Sequence, residues 1–208
     1  STPGGAGRGC SAEFWTMKLV LATQNAHKVS ELRAVLPTDW TVGTAVAYGL
    51  IDELPETGRT LEHNAAQKAQ FVWTKLGIPC LADDSGLEVA ALGGAPGVDS
   101  AYFGGSAKSD ALNRARLLSE LDCVSDRRAQ FRTVLAWSTP EGVALYEGVV
   151  QGVITTEPRG TQGFGYDVLF VPDDGDGRTF AEMNPDEKQR LSHRSRAVAA
   201  WLSALRKS

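Results

Sequence analysis

The chain has 208 residues, of which 42% are hydrophobic and 22% are charged, and its formal net charge at pH 7 is −4. This length and composition predict one globular domain with a substantial core, and they exclude global disorder. The acidic balance disfavours a general nucleic-acid coat or a protein that binds anionic membranes, so we expect neither nucleic acid nor membrane as a partner.

Residues 1–16, STPGGAGRGCSAEFWT, are rich in glycine, serine and other small residues. They lack the long apolar segment of a secretory signal. We interpret them as a flexible N-terminal extension or a leader left by expression. The folded domain is expected to span residues 17–208 as a single unit.

Hydrophobic periodicity and turn residues predict an α/β domain from this point onward. The predicted elements are a strand at 18–22, a helix at 26–36, an extended segment at 41–48, a helix at 60–76, a strand, break and strand within 78–90, a helix at 109–121, a hairpin of 128–139 and 142–156, a strand at 167–171 and a helix at 187–206. Because the hairpin must be antiparallel, we expect a mixed sheet flanked by helices rather than a purely parallel one.

The cysteines and histidines restrict the kind of site. Cys10, Cys80 and Cys123 are scattered and form no CxxC motif, which predicts no disulfide scaffold and favours a reducing cytoplasmic location. The three histidines lie far apart in sequence, which gives little support for a zinc cluster. No apolar run approaches the roughly 20 residues of a membrane span.

Segment 23–28, Thr-Gln-Asn-Ala-His-Lys, joins the first predicted strand to the first helix. The free backbone N–H groups and the positive dipole end of a helix start form a natural anion site, to which Lys28 adds a full charge. The alternative is an ordinary N-cap with a surface lysine. No Walker A sequence occurs, and Gly163-Phe164-Gly165 lacks the third glycine of a dinucleotide fingerprint.

The adjacent carboxylates Asp83 and Asp84 stand at what looks like the end of a buried strand. Successive strand residues point to opposite faces, so at most one of the pair faces a given site unless the strand has already turned. Buried carboxylates are costly unless a cation, a proton or donors relieve them, and Mg²⁺ suits because it takes few protein carboxylates. The alternative is that one aspartate caps a turn and the other is solvated.

Three further segments carry weaker signals. Glu56 precedes a predicted helix on which Asn64 and Lys68 share one face, although a solvated surface is the alternative. Segment 160–167 places aromatic rings on a glycine-rich loop, where a ring can stack on a nucleobase or simply fill the core. Segment 187–194 supplies hydrogen-bond donors near the start of the last helix, or else forms a charged amphipathic surface.

Taken in order, these segments resemble the inosine triphosphate pyrophosphatases, which hydrolyse non-standard purine nucleoside triphosphates. The resemblance is carried by the stretches LATQNAHKVSELRAVL, LPETGRTLEHNAAQKA, LADDSGLEVAALGGAPGVDSA, GFGYDVLFVP and EKQRLSHRSRA, and it spans residues 17–206. Two positions depart from the family pattern. Gln24 stands where the family often has glycine, and His63 stands where bacterial members usually carry an acidic or amide residue.

The resemblance implies a fold, a reaction and a cofactor. The fold is an elongated mixed β-sheet flanked by helices, with two lobes and the active-site cleft between them, and the assembly is a homodimer. In the implied reaction, water attacks the α-phosphorus of ITP, dITP or XTP with the help of Mg²⁺, and the products are the monophosphate and pyrophosphate. Glu56 and Asp84 are the implied metal ligands, and Asp84 is also the implied catalytic base.

The implied substrate contacts fall at the two ends of the nucleotide. The triphosphate is expected to lie against Thr23, Gln24, Asn25, Ala26, His27, Lys28, Lys68 and Lys188. The rest of the substrate is expected to lie against Ser85, Phe164, Gly165, Tyr166, Asp167, His193 and Arg194, with Phe164 on the purine ring and His193 and Arg194 at the base edge. Together with Mg²⁺, the three lysines are expected to offset the roughly four negative charges of a triphosphate.

Base selection follows from the donors on Arg194, since a guanidinium has no acceptor. Facing it, the 6-keto oxygen of hypoxanthine or xanthine accepts a hydrogen bond, whereas the adenine amino group leaves a donor unpaired at about 1–3 kcal/mol. GTP carries the same 6-keto oxygen and is not disfavoured in this way.

Two alternatives stay open. One is a related pyrophosphatase for modified pyrimidine or methylated guanine nucleotides, which the FGYD and SHR stretches oppose. The other is a non-catalytic nucleotide sensor, which the presence of Glu56, Asp84 and Lys28 opposes.

Overall fold

The structure is a computed structural model, and it describes residues 17–207. The interpretation of residues 1–16 as an extension or a leader therefore lies outside the described residues. The strands are β1 (Lys18–Ala22), β2 (Thr41–Thr44), β3 (Cys80–Val89), β4 (Arg128–Thr139), β5 (Gly142–Ile154) and β6 (Phe170–Pro172). The helices are α1 (Ala26–Val35), α2 (Leu61–Leu76), α3 (Asp110–Glu120), α4 (Pro185–Leu191) and α5 (His193–Leu205). Within residues 17–207, none of the helices combines the length and apolar character needed to cross a bilayer.

The six strands form one mixed sheet in the order β2-β1-β3-β4-β5-β6. β1 runs parallel to β2 and β3, whereas each later neighbour pair, from β3–β4 to β5–β6, is antiparallel. The expected hairpin is β4–β5, and its ladder extends along nearly the full length of both strands. The predicted α/β class with a mixed sheet flanked by helices is confirmed.

Three apolar clusters form the core around this sheet. α2 packs on one face of β1, β3 and β4, and α1 and α5 pack on the opposite face. The third cluster joins α3 and β6 to the far halves of β4 and β5. The first two clusters make one lobe and the third makes the other, and the polar residues described below lie between them.

β1 and β3 end at different heights, and this difference creates the site. Ala22, the last residue of β1, pairs with Ala82, while β3 continues to Val89 along β4. In the part of the chain that the structure describes, the β1 side of β3 then has no strand partner until Pro96 bridges Glu88. The prediction of a break within 78–90 is wrong, because the strand that stops is β1. The neighbouring edge of β3 is therefore open next to the carboxyl end of β1, where ligands bind in open α/β sheets.

Two other boundaries differ from the predictions. The strand expected at 167–171 begins only at Phe170. Asp167 lies in a turn instead, where its side chain accepts a hydrogen bond from the Phe164 N–H. The single helix expected at 187–206 is two helices, because Ser192 has extended backbone and caps α5 by accepting the Ser195 N–H. The extended segment expected at 41–48 is also shorter, since residues 46–48 form a 3₁₀ turn.

Gly148 on β5 allows α5 to approach the sheet closely, since a Cβ at this position would overlap the His193 carbonyl oxygen and the Ala197 nitrogen. We predict that Gly148→Ala lowers the free energy of unfolding by about 1–3 kcal/mol, because the helix must move away. Urea denaturation measures this loss. Ala144→Gly on the exposed part of the same strand is the control, with an expected cost of about 0.5–1 kcal/mol. A wild-type midpoint for Gly148→Ala would contradict the close approach.

Candidate active site

A cavity of about 420 Å³ lies at the open edge of β3. Most residues selected from the sequence line it, namely Thr23, Gln24, Asn25, Lys28, Glu56, Lys68, Asp84, Ser85, Phe164, Gly165, Tyr166, Asp167, Lys188, His193 and Arg194. Ala26 does not line it, and His27 lines a neighbouring cavity of about 370 Å³ that shares Phe164 and Lys188. Segments far apart in the chain thus meet in one hollow, while the role of each residue stays a prediction.

The pleat of β3 sends its two adjacent carboxylates to opposite faces of the sheet. Asp83 lies on the face of Leu81, which packs under α1 and α5. Asp84 lies on the face of Ala82, which packs under α2. Both aspartates are buried, so each must be satisfied by a different set of neighbours.

Asp83 is neutralised by residues of α1 and α5. The Lys28 Nζ lies 2.6 Å from its Oδ1, and the Arg194 Nε donates to its Oδ2 at 3.1 Å. The Ser85 hydroxyl donates to the same Oδ2 at 2.8 Å. Although burial alone would raise it, the charges of Arg194 and Lys28 hold the pKa of Asp83 well below its usual range. Asp83 is therefore ionised at neutral pH and balances the charges of Lys28 and Arg194.

Asp84 is satisfied less completely. The Lys68 Nζ lies 3.5 Å from its Oδ1, and its buried Oδ2 has no hydrogen-bond partner among residues 17–207. Burial raises the pKa of Asp84 above the ordinary value, with a further contribution from Glu56, and Lys68 and Lys28 only partly oppose it. A carboxylate with a raised pKa on a residue that lines a cavity is what a general base requires.

Lys68 joins Asp84 to the loop that carries Glu56. Its buried ammonium contacts the Glu56 carboxylate and donates to the Asp83 carbonyl at 2.7 Å, on the open edge of β3. Asn64, one turn earlier on α2, accepts the Gly58 N–H at 2.8 Å and so fixes the same loop. The two carboxylates predicted to hold a metal therefore share one ammonium group.

Glu31 is a further member of the site that the sequence analysis missed. It accepts a hydrogen bond from the Lys188 Nζ at 2.6 Å and contacts the Arg194 guanidinium. The same Lys188 ammonium donates to Asp167 at 2.6 Å. The only signal in the sequence is that Glu31 follows Lys28 by three residues on one helix face, a spacing too common among charged residues to single it out.

These ion pairs form two groups, one around Asp83 and one around Lys68, and the hydrogen bond from the Lys68 Nζ to the Asp83 carbonyl joins them into a network of four cations and five carboxylates. Its members are Lys28, Lys68, Lys188 and Arg194, with Glu31, Glu56, Asp83, Asp84 and Asp167. With every group ionised, the network has one excess negative charge. That excess and the unpartnered Oδ2 of Asp84 make the site suitable for a bound cation. No group of three or more histidine, cysteine, aspartate or glutamate ligands occurs within residues 17–207, whereas Mg²⁺ needs only one or two protein carboxylates.

The start of α1 is capped by the protein itself. The Asn25 side chain accepts the N–H groups of His27 at 2.9 Å and Lys28 at 3.2 Å, and the Thr23 hydroxyl accepts the Asn25 N–H at 3.3 Å. The ordinary N-cap therefore exists, and those amides are not free. Gln24 donates to the Asp52 carbonyl at 2.9 Å. Lys28 and the polar side chains are what this segment offers to an anion.

The glycine-rich loop presents Phe164 at the border of the two cavities. Its ring stacks on His27 at 4.9 Å, and the Lys188 Nζ lies 4.9 Å from the ring centroid. Gly163 and Gly165 on either side have left-handed backbone, with φ of 73° and 59°. The Tyr166 hydroxyl donates to the Ser100 carbonyl at 2.8 Å, so this tyrosine anchors the loop.

His193 and Arg194 are buried side by side at the break between α4 and α5. His193 stacks on Phe131 at 4.8 Å, and burial lowers its pKa well below the usual value, so the imidazole is neutral. Its Nδ1 has no partner among the described residues. The three guanidinium nitrogens of Arg194 contact Asp83, Glu31 and Ser85. Arg194 therefore supports the network before it contacts any base.

The chain matches known proteins over nearly its full described length. The model of the Ham1 family matches residues 19–204. A dITP/XTP pyrophosphatase of Syntrophobacter fumaroxidans is 50% identical over 86% of this chain and 78% of its own. Another, from Porphyromonas gingivalis, is 44% identical over 88% of this chain and 94% of its own.

Solved structures agree with this match. The Staphylococcus aureus Ham1 protein superposes with a TM-score of 0.83 at 35% identity, covering 91% of this chain and 98% of that one. A structure described as a nucleoside-triphosphatase / dITP/XTP pyrophosphatase from Mycobacterium abscessus has a TM-score of 0.73 at 43% identity, covering 89% of this chain and 99% of that one.

We predict that Asp83→Asn lowers the free energy of unfolding by about 3–5 kcal/mol at pH 7, because Lys28 and Arg194 lose their counter-charge in a buried site. The pKa of Asp83 is lower in the folded than in the unfolded chain. Its stabilisation is therefore complete at neutral pH and declines as the pH falls below about 4, so variant and wild type converge on acidification.

Urea unfolding at pH 7 and at pH 3 measures both effects. Asp126→Asn is the matched control, since Asp126 pairs with Arg128 on the exposed surface and its loss is expected to leave the midpoint nearly unchanged. Equal midpoints for Asp83→Asn and wild type at pH 7 would show that Asp83 has no structural role.

Proposed function

The chain belongs to the Ham1 family, and from that premise we propose that it hydrolyses ITP, dITP and XTP to the nucleoside monophosphate and pyrophosphate. The family resemblance drawn from the sequence is confirmed by these matches. Support for the substrate comes from relatives named dITP/XTP pyrophosphatase at 41–50% identity. The observation that carries the proposal is that one cavity is lined by lysines, by Asp84 and by the ring of Phe164.

We place the triphosphate against Lys28 and Lys68 and the purine toward Phe164. Lys28 and Lys68 lie on either side of the open β3 edge and supply the positive charge that a polyphosphate needs. The ring of Phe164 stacks on His27 and lies beside the Lys188 ammonium, and an aromatic ring that forms such contacts can also stack on a purine. Of the remaining predicted contacts, those that line the same cavity are Thr23, Gln24, Asn25, Ser85, Gly165, Tyr166, Asp167 and Lys188.

We propose Mg²⁺ as the cofactor, held by Glu56 and Asp84. The support is the excess negative charge of the ion network and the buried Oδ2 of Asp84 that lacks a partner among the described residues. When bound, Mg²⁺ would offset part of the triphosphate charge and stabilise the charge that develops on pyrophosphate.

In the proposed reaction Asp84 takes the proton of the attacking water. The water oxygen forms a bond to the α-phosphorus, and the bond from that phosphorus to the bridging oxygen breaks, so the electron pair leaves with pyrophosphate. Lys28 and Lys68 stabilise the charge on the leaving group, since both ammonium groups face the cavity. Asp83 does not exchange protons, and it holds Lys28 and Arg194 in place.

Selection of the base is assigned to the buried pair His193 and Arg194. The neutral imidazole and the guanidinium N–H groups that remain beyond the three protein contacts can face the 6-keto oxygen of hypoxanthine or xanthine. A base with an amino group at this position would leave a donor unpaired, which costs about 1–3 kcal/mol.

We also propose that the protein works as a homodimer in the cytoplasm, as the family resemblance implies. Support for a reducing compartment is that Cys80 and Cys123 are both free thiols. Light scattering after size-exclusion chromatography measures the assembly, and a monomer at micromolar concentration would contradict it.

The substrate class is tested by chromatography of the products from ITP, XTP, GTP, ATP and dTTP with Mg²⁺. We expect ITP and XTP to give monophosphate and pyrophosphate at about 10–100 times the ATP rate or more, from the cost of one unpaired donor. Rapid release of pyrophosphate from dTTP but not from ITP would favour a pyrimidine-directed enzyme. Binding of ITP without turnover would favour a nucleotide sensor.

We predict that Asp84→Asn lowers kcat for ITP by about 10³-fold or more, because the amide can neither accept the proton of water nor carry the charge that a cation requires. Binding of ITP is expected to stay within about tenfold, because the lysines that hold the phosphates remain. Steady-state kinetics and calorimetry measure the two quantities. Asp122→Asn, an exposed change of the same kind, is the control. Turnover at the wild-type rate in Asp84→Asn would remove Asp84 from catalysis.

A further inference from the structure

The three lysines assigned to the triphosphate already have carboxylate partners. Lys28 pairs with Asp83, Lys68 with Glu56 and Asp84, and Lys188 with Glu31 and Asp167. A phosphate that binds one of these ammonium groups must share it with a carboxylate. The charge they can offer a polyanion is therefore smaller than their number suggests.

Lys108 differs from them. It lines the same cavity, and within residues 17–207 no carboxylate oxygen lies within 4.0 Å of its ammonium group. Its Nζ instead lies 4.9 Å from the ring centroid of Tyr102, which also lines the cavity and is 42% exposed. Lys108 is thus a cavity cation that lies beside Tyr102 and, among the described residues, has no carboxylate within ion-pair distance.

The position of Lys108 is fixed by its surroundings. The buried side chain of Asn113 accepts the Gly104 N–H at 2.6 Å and donates to the Ala101 carbonyl at 3.0 Å, which braces the loop before α3. Directly after Lys108, Ser109 caps α3 by accepting the Leu112 N–H. A hydrogen bond with the Tyr102 side chain raises the pKa of Lys108, and the charges of Glu56 and Glu53, which line the same cavity, add to this shift.

The backbone of Lys108 is unfavourable for its residue type. Its φ is 50°, in the left-handed region that suits glycine, and among the described residues the other non-glycine case is Cys123, which does not line the cavity. Strain of this kind is retained where the position of a side chain matters. Here it sets a lysine at the rim, over Tyr102.

We propose that Lys108, seated on Tyr102, is a substrate-binding residue that contacts the terminal phosphates of the bound nucleoside triphosphate. The inference rests on the proposed function and adds to it a cation that needs no carboxylate to be displaced. Because Lys108 is exposed at the rim and lies directly before α3, on a different element from His193 and Arg194 at the start of α5, we expect it to act on substrate capture rather than on the chemical step.

The test compares Lys108→Met with Lys75→Met in the full chain. Lys75 is the matched control, since its Nζ also lies over an aromatic ring, that of Phe71 at 5.7 Å, but it does not line the cavity. We expect Lys108→Met to raise KM for ITP about 3–10-fold with kcat within about twofold, and to raise the inhibition constant of tripolyphosphate by the same factor. The inhibition constant of IMP is expected to stay unchanged, and Lys75→Met is expected to match wild type in all three.

Lys108→Gly separates binding from folding, because glycine adopts the left-handed backbone without strain. It is expected to show the KM of Lys108→Met with a melting temperature equal to or above wild type. Equal KM values for Lys108→Met and Lys75→Met would overturn the inference. The inference would also be overturned if Lys108→Met raised the inhibition constant of IMP by the same factor as that of tripolyphosphate, because the contact would then involve the nucleoside part.

Failure of the proposed function gives a different result. In that case the wild-type protein releases no pyrophosphate from ITP. Calorimetry with tripolyphosphate and Mg²⁺ then still compares Lys108→Met with Lys75→Met, and equal affinities overturn the phosphate contact on their own.

Discussion

The buried ion pairs of Asp83 with Lys28 and Arg194 determine the geometry of the cavity. Asp83 lies in the middle of β3, Lys28 in the first turn of α1 and Arg194 at the start of α5, so one carboxylate ties three elements together. Removing one partner of a buried pair leaves an uncompensated charge, which is far more costly than losing a surface pair. The wall of the cavity on this face of the sheet is therefore fixed before any ligand binds.

The opposite face of the same strand is left free for chemistry. Because the pleat turns Asp84 away from Asp83, the two charges need not share a cation, and Asp84 keeps a buried oxygen without a partner among the described residues. The ladder with β1 ends one residue before Asp83, so on that edge this part of β3 borders the cavity, while its other edge stays paired with β4. One adjacent pair of aspartates thus combines a structural anion with a proposed base and metal ligand.

The sequence predicts the local features of this molecule well and the long-range ones poorly. Periodicity and turn residues give the helices and the hairpin, and a family resemblance selects most of the cavity lining, because both depend on residues close together in the chain. The position on β3 at which β1 ends depends on the register between the two strands. Neither the periodicity of the sequence nor the family resemblance predicts that register. Glu31 acquires its importance from Lys188 and Arg194, 157 and 163 residues later. Lys108 acquires its importance from the absence of a carboxylate beside it among the described residues. The break at Ser192 was missed because the apolar residues between Leu191 and Leu205 have the spacing of one continuous helix, whereas in the structure Leu191 and Trp201 pack in different clusters.

The central claim is that Asp83 holds the protein together while Asp84 meets the substrate. It is tested most directly by a crystal structure of the protein with Mg²⁺ and ITP whose α,β-bridging oxygen is replaced by an imido group. We expect metal density next to Asp84 and Glu56, the triphosphate along the lysines of the cavity, and Asp83 still bonded to Lys28 and Arg194. A complex in which Asp83 leaves those partners to contact the metal, or in which the triphosphate lies outside this cavity, would contradict the account.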